Sequence, residues 1–399
     1  MSEISDMIQR LCPDGVEYRK LGDFITIYTG SQFNKRDMVD EGAYPVLNGG
    51  IDYSGYTHEY NEGADTIAIS QGGASAGYVN WVDRPFWAGA HCYVVKPDES
   101  LLNKRYLYHF LKNEEQTIMA SKQGAGIPGL NRSKIQGLEI PVPPLEVQRK
   151  IVEVLDNFSE LTAELTAELT ARQKQYEYYR DNLLNFNRGG QVASDVKWMK
   201  LGDVLHSIRT GLNPRKFFSL NTPDATNYYV TIREIKGGVL SFSEQTDRIN
   251  NDALELCNNR SNLSIGDVLF SGTGTIGETY VIEETPYNWN IKEGVYSLKP
   301  NIELVNSFYL KYILCARYIK DRYLSLAEGG TVKSVSMKQL SNLLIPIPPL
   351  SEQERIVSIL DRFEALTSDL TSGLPAEIKA RQQQYEYYRD QLLTFKRAN

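Results

Sequence analysis

The chain is written twice. Lys20-Leu21-Gly22-Asp23 returns as Lys200-Leu201-Gly202-Asp203, each preceded at two positions by an aromatic residue (Tyr18, Trp198), at an offset of 180. Leu138-Glu139-Ile140-Pro141-Val142-Pro143-Pro144-Leu145 returns as Leu343-Leu344-Ile345-Pro346-Ile347-Pro348-Pro349-Leu350 at an offset of 205, and each run leads to a Gln, a basic residue, Ile-Val and Leu-Asp. Residues 171–186 return as 380–395 with 13 of 16 positions identical. A period near 200 is several times that of a solenoid repeat, so what is duplicated is a whole domain with its own helix. Whatever this chain folds into has two such units.

The copies diverge unevenly. Between residues 24–120 and 204–325 only landmarks survive, such as Ser70 to Gly77 beside Ser271 to Gly277, and Asn103-x-x-Tyr106-Leu107 beside Asn306-x-x-Tyr309-Leu310. Two near-identical elements and two divergent ones imply one partner bound twice and two different targets bound once each.

Composition narrows the class. At 399 residues, with 41% hydrophobic and 23% charged side chains, the chain has the makings of about two to three folded domains and is not disordered. A net charge of -7 excludes a uniformly basic coat, so any nucleic-acid surface must be local. No run of about 18 apolar residues exists, and Met-Ser-Glu-Ile-Ser-Asp lacks the regions of a signal peptide; the expected location is cytoplasmic, with no membrane partner. Four cysteines without a C-x-x-C pair read as free thiols.

Apolar residues at Ile151, Leu155, Phe158, Leu161, Leu165, Leu169, Tyr176, Tyr179, Leu183 and Phe186 predict an amphipathic helix from about Leu145 to Asn187, started by the Pro pair and ended by Gly189-Gly190. At roughly 60 Å it needs a partner helix. The second copy, about Leu350 to Lys396 with a kink or break at Pro375, is the candidate for an antiparallel coiled coil. The apolar face serves either an intramolecular core or an outside partner; for the latter the candidates are Tyr176, Tyr179, Leu183, Phe186, Tyr385, Tyr388, Leu392 and Phe395. Leu161-Thr-Ala-Glu-Leu165-Thr-Ala-Glu-Leu169 repeats every four residues, about 6 Å of helix, and fits both an adjustable spacer and an ordinary helical stretch.

Between the landmarks, short strands (65–70, 78–82, 92–96; then 228–232, 267–271, 279–282, 294–299) precede helices at 101–112 and 307–322. Segments 101–137 and 308–340 each carry six cations against two anions. Each ends in a Gly-rich loop, Gln123 to Asn131 and Glu328 to Ser336, with Asn131 and Ser336 as helix N-caps. Solvated faces and tight turns explain these features; phosphate contact explains why they occur in both copies of an acidic chain.

Catalytic motifs find no support. Gly272-Thr-Gly274-Thr-Ile-Gly277 matches G-x-G-x-x-G but leads into a strand, and Glu278 and Tyr78 stand where a P-loop needs Lys. Asp224 with Glu234-x-Lys236 imitates a Mg-dependent nuclease site, yet the first copy offers no counterpart. Histidines 58, 91, 109 and 206 have no ligand spacing, so no metal or catalytic residue is assigned.

These blocks, in this order and duplicated on long helices, resemble the specificity subunit of type I restriction-modification enzymes over nearly the whole chain. The resemblance implies an α+β fold with two mixed α/β target recognition domains in tandem, each followed by a long helix. Its expected segments are 1–18 N-terminal, 19–144 first recognition domain, 145–188 spacer helix, 189–196 linker, 197–349 second recognition domain and 350–396 spacer helix. It implies a noncatalytic subunit that reads double-stranded DNA in two halves, sets their gap with the helices and docks two methyltransferase subunits, with restriction/translocase subunits joining through them. No cofactor belongs to this chain; S-adenosylmethionine, ATP and Mg belong to the partners. A stand-alone coiled-coil scaffold or a Mg-dependent nuclease is the alternative. The residues suited to DNA contact are Lys35, Arg36, Asn48, Gln71, Ser75, Lys122, Gln123, Arg132 and Lys134 in the first copy, and Arg215, Lys216, Arg233, Ser271, Thr273, Thr275, Lys333, Ser334 and Lys338 in the second.

Overall fold

The computed structural model describes the chain apart from residues 1, 124–127, 187–194, 369–372 and 399, so the Gly189-Gly190 helix stop and part of the 123–131 loop lie outside the described residues. Two units emerge, one made of Met1–Thr166 with Ile378–Asn399 and the other of Ala167–Glu377.

Unit 1 opens with α1 (Ser2–Leu11), which lays Ile4, Met7, Ile8 and Leu11 on the core. Its strands are β1 (Tyr18–Lys20), β2 (Ile25–Thr29), β3 (Tyr44–Leu47), β4 (Gly55–Thr57), β5 (Thr66–Ser70), β6 (Val79–Val82), β7 (Trp87–Ala88), β8 (Cys92–Pro97) and β9 (Glu139–Pro141). Helices α2 (Lys104–Asn113), α3 (Glu115–Ala120) and α4 (Arg132–Gln136) fall between β8 and β9, and α5 (Leu145–Leu183) follows. One antiparallel sheet has the order β2-β8-β5-β6; a smaller one, β4-β3-β7, contains a parallel pair; β1 pairs with β9. Strand β5 is buried along its whole length because both of its faces are covered. Ile67 and Ile69, with Tyr93 and Val95 of β8, enter the helix-side core, while Ala68, Cys92 and Val94 enter a second core under the small sheet.

Unit 2 rebuilds this plan with β10 (Lys197–Lys200), β11 (Leu205–Thr210), α6 (Pro214–Phe217), β12 (Asn227–Val230), β13 (Ile235–Lys236), β14 (Val239–Leu240), β15 (Arg248–Ile249) and α7 (Asn251–Ser261). It continues with β16 (Val268–Ser271), β17 (Thr279–Val281), β18 (Trp289–Ile291), β19 (Val295–Pro300), α8 (Ser307–Cys315), α9 (Arg317–Ser325), α10 (Met337–Ser341) and β20 (Leu344–Ile347). The sheets are β11-β19-β16-β17 and β15-β12-β18, β10 pairs with β20, and again alternate residues of the central strands feed two cores. Helix α7 and the β13-β14 hairpin have no equivalent among the described residues of unit 1. The helix expected over 307–322 is broken: Ala316 is extended (ψ 133°), and the Asp181 carboxylate accepts from the Arg317 N–H at 3.1 Å, capping a new helix.

The shared landmarks have mechanical roles. Asn103 and Asn306 cap α2 and α8, each side-chain oxygen accepting two N–H groups. A fully buried glutamine from each long helix then closes the corner. Gln148 accepts from Asn103 N–H (2.7 Å) and donates to the Leu101 and Pro143 carbonyls (3.0 and 2.7 Å). Gln353 does the same for Asn306, Leu304 and Pro348 at 2.8, 2.9 and 2.8 Å. Gly77 and Gly277 (φ 96° and 99°) lie against Met119 and Tyr323, where no side chain fits.

The second long helix comprises α11 (Leu350–Ser368) and α12 (Leu374–Leu392), with Pro375 in the first turn of α12, where its missing N–H is harmless. Helix α5 ends at Leu183, four residues earlier than expected, and Leu184 is fully buried with its carbonyl accepting from Tyr318 (2.9 Å). Within unit 1, Phe158 stacks on Tyr388; within unit 2, Tyr179 stacks on Phe363, so residues met along α5 ascend as their partners descend, as in an antiparallel pair. The repeated blocks therefore belong to different units: 171–186 packs on the second recognition domain and 380–395 on the first.

That placement corrects one expectation. Leu392 and Phe395 are 3% and 9% exposed in the core of unit 1, with Tyr385 and Tyr388 against it, and Tyr176, Leu183 and Phe186 pack on the core of unit 2. The two blocks pack on equivalent scaffolds, and these side chains are wholly or partly buried there. Of the expected partner residues Tyr179 is exposed, at 40%, and the blocks also present Tyr178 and Tyr387 to solvent, at 66% and 58%.

Polar contacts secure each block. In unit 1 the buried His109 ring bonds Asp156 (2.8 Å) and the Tyr385 hydroxyl (3.2 Å). Burial pushes the imidazole pKa down against the pull of Asp156, so the ring is held neutral. At the same place in unit 2, the Tyr312 hydroxyl lies 2.6 and 2.7 Å from the Asp361 and Glu364 carboxylates, and Lys311 pairs with Glu364 at 2.8 Å.

Candidate nucleic-acid interface

In unit 1 three loops far apart in sequence meet at one end of the main sheet. The turn after β5 is pinned by backbone bonds to the loop before α4: Leu130 N–H donates to the Gln71 carbonyl (2.7 Å) and Gly73 N–H to that of Pro128 (2.9 Å). Gln123 and Gly129 exchange both backbone bonds, at 2.9 and 2.8 Å. The Ser70 and Ser75 hydroxyls donate to the Gly50 and Gly49 carbonyls (3.1 and 2.9 Å), drawing in the loop that carries Asn48. Lys122 donates to the Ala74 carbonyl at 3.2 Å.

Unit 2 makes the same platform from different residues. Val335 N–H donates to the Gly272 carbonyl (2.8 Å), Gly274 N–H to that of Lys333 (3.0 Å), and Glu328 and Ser334 exchange bonds at 2.9 and 2.8 Å. A tyrosine from the central strand braces each platform, Tyr93 donating to the Leu130 carbonyl (2.9 Å) and Tyr296 to that of Val335 (2.8 Å).

The expected contact residues divide accordingly. Gln71, Gln123, Arg132 and Lys134 in unit 1, and Thr273, Thr275, Lys333, Ser334 and Lys338 in unit 2, sit on or beside the platforms. Arg132, Lys134, Lys333 and Lys338 are exposed and have no ion pair among the described residues, which suits phosphate contact. Ser271 is a correction: it is fully buried, donates to the Thr275 carbonyl (2.6 Å) and accepts from Glu278 N–H (2.8 Å), so it shapes the turn and cannot read bases. Ser75 and Lys122 act in the same way as loop staples. Asn48 is half-buried, its side-chain oxygen enclosed without a partner. Lys35, Arg36, Lys216 and Arg233 are exposed, but no contact among the described residues joins them to the platforms, and Arg233 pairs with Asp247 at 2.9 Å. The Arg215 side chain lies outside the described residues.

Asn131 and Ser336 are N-caps, Ser336 in a capping box with Gln339. Helices α4 and α10 are five residues long, too short for a useful dipole, so exposed cations and loop amides are what each platform offers an anion. The nuclease-like trio comes apart: Glu234 is 4% exposed and accepts from the Thr231 N–H and hydroxyl (2.8 and 2.7 Å), while Asp224 accepts from Asn250 (2.9 Å). Among the described residues no cluster of three or more His, Cys, Asp or Glu could hold a metal, and no helix is long and apolar enough to cross a membrane.

Missed at the level of sequence were the platform tyrosines and an exposed aromatic group in unit 1, Tyr53, Tyr56 and Tyr60. The tyrosines do carry a signal, since Tyr93-x-x-Lys96-Pro97 returns as Tyr296-x-x-Lys299-Pro300. The aromatic group carries none, having no counterpart in register.

One scaffold built twice, with differently furnished loops at the same place, defines a two-headed recognition protein. Comparison makes the class specific. The family model for the type I restriction modification DNA specificity domain matches residues 13–172 and again 193–380. A putative type I restriction enzyme specificity subunit of Haemophilus influenzae is 36% identical over 355 residues, covering 86% of this chain and 84% of that one. The type I restriction enzyme EcoR124I/EcoR124II specificity subunit of Escherichia coli is 30% identical over 427 aligned positions, 99% of this chain and 98% of that one. Among solved structures, the S subunit of a type I restriction-modification system from M. genitalium superposes with a TM-score of 0.61 at 19% identity, over 95% of this chain and 96% of that one. The chain belongs to the type I restriction-modification specificity subunits, which recognise DNA sequence with two domains.

Proposed function

We propose that each unit reads one half of a bipartite DNA target through its loop platform, with Lys and Arg on phosphates and polar loop residues on base edges. The carrying observation is that one platform recurs in both units with different side chains: Gln71 and Gln123 in unit 1 stand where Gly272 and Glu328 stand in unit 2. In this reading the chain works in the cytoplasm and contributes no chemistry. Methyltransferase subunits, two to a complex, dock on the helices around Tyr178 and Tyr387, equivalent exposed tyrosines of the two blocks, and bring S-adenosylmethionine. Restriction/translocase subunits join through them and bring ATP and Mg. The helix pair sets the gap between the half-sites.

Two measurements test this. With the chain expressed beside its methyltransferase partner, methylome sequencing is expected to yield a bipartite adenine-methylated motif, and exchanging residues 24–120 for those of another family member to replace one half while the other half and the gap persist. Both halves changing, or neither, would sink the one-unit, one-half assignment. Inserting a further Thr-Ala-Glu-Leu after Leu169 adds about 6 Å of helix and is expected to lengthen the gap by one or two base pairs with both half-sites intact; altered half-sites would refute the ruler.

A further inference from the structure

In unit 1 the brace and the reader are joined. The Tyr93 hydroxyl is buried, 2.9 Å from the Leu130 carbonyl and 3.0 Å from the Gln71 side-chain amide. A phenol has one proton, and a carbonyl can only accept, so that proton goes to Leu130. The Gln71 atom facing the hydroxyl must then be its NH2 group, since two acceptors would repel there. This settles which way the amide points. One N–H is tied to Tyr93, while the other N–H and the side-chain oxygen have no partner among the described residues. Gln71 lines an open cleft with Thr29, Gly129, Asn131 and Arg132, and Arg132 has no ion pair there.

A glutamine held this way offers an acceptor and a donor side by side, the complement of a base edge with an amino group next to a ring acceptor. In the major groove that is adenine, with N6–H and N7. Arg132 is placed to hold the neighbouring phosphate. Unit 2 cannot do the same: at Gly272, the residue equivalent to Gln71, a Cβ would stand 2.2 Å from the Tyr296 ring. Resting on the reading of unit 1 as a DNA-recognition domain, we propose that Tyr93 is a positioning residue that presents Gln71 to one A·T pair of the unit 1 half-site. That pair differs from the methylated one, whose adenine leaves the stack during the reaction.

Tyr93→Phe removes the hydroxyl and leaves the backbone bonds that pin the platform. The test is the methylome of hosts carrying the full chain and its methyltransferase partner, with chromosomal DNA as the probe, for wild type, Y93F, Q71L, the double variant and Y296F. The expected result is that Y93F and Q71L both relax the same A·T position in one half-site, discrimination there falling about tenfold. The double variant is no worse than Q71L, and Y296F leaves that position alone. The proposal is overturned by an unchanged motif, by relaxation at a G·C position, by additive effects, or by uniformly weaker methylation of all sites, the mark of a purely structural role. A wild-type complex that yields no bipartite motif overturns the recognition reading and this inference together; a normal wild-type motif with an unresponsive Y93F overturns this inference alone.

Discussion

Ending the chain after Lys379 is expected to unfold the N-terminal recognition domain and spare the second. The removed segment supplies Leu392, Leu393 and Phe395 to the core of unit 1, with Tyr385 and Tyr388 against it. It also supplies an edge: Val16 donates to the Lys396 carbonyl (2.8 Å), accepts from Ala398 (3.0 Å), and Tyr18 bonds the Phe395 backbone (3.2 and 3.1 Å). At about 2 kcal/mol for each large apolar side chain, losing five exposes on the order of 10 kcal/mol of burial. That is comparable with the whole stability of a domain, about 5–15 kcal/mol. Unit 2 takes its equivalent block from residues 171–186 and keeps it. Hydrogen exchange should therefore show β5 and β8 losing protection while β16 and β19 retain it. Loss confined to unit 2 would refute the assignment of Ile378–Asn399 to unit 1.

Gln148→Leu is expected to cost about 3 kcal/mol, although leucine is apolar and the Gln148 side chain is fully buried. The substitution strands the Asn103 N–H and the Leu101 and Pro143 carbonyls, which Gln148 alone bonds among the described residues, and an unsatisfied group costs about 1–3 kcal/mol where it is buried and less where water can reach it. Gln148→Glu should be worse, because it turns a second acceptor on the two carbonyls and buries a carboxyl group. Gln353→Leu should produce the same loss in unit 2. Denaturant unfolding followed by exchange in each unit checks both; a loss below about 1 kcal/mol would mean that water replaces the amide.

These two residues also show how far the sequence reaches. The Gln after each Pro-Pro-Leu run, the recurring Asn103 and Asn306 and the duplicated helix blocks were all legible, because each belongs to a repeat that can be laid beside itself; that the two asparagines cap helices was seen only in the structure. Seven strands of the two recognition domains were legible for the same reason, whereas others, such as β2 and β11, were not read. The candidate site was only partly so. Residues such as Gln71, Arg132, Lys333 and Lys338 could be named from residue type and charge, but Ser271 looks the same in sequence whether its hydroxyl is buried or free.

The sequence by itself determined the duplication, the two-headed plan and the family, since these rest on local periodicity and identity between copies. Only the tertiary structure decided which helix block serves which domain. Both blocks carry nearly the same residues, so identity between copies does not say which domain each one packs on; that is read from the long-range packing of each block within its unit. It also decided that the loops after β5 and before α4 form one platform. They are held by backbone N–H and C=O groups, which every residue carries and no sequence pattern displays.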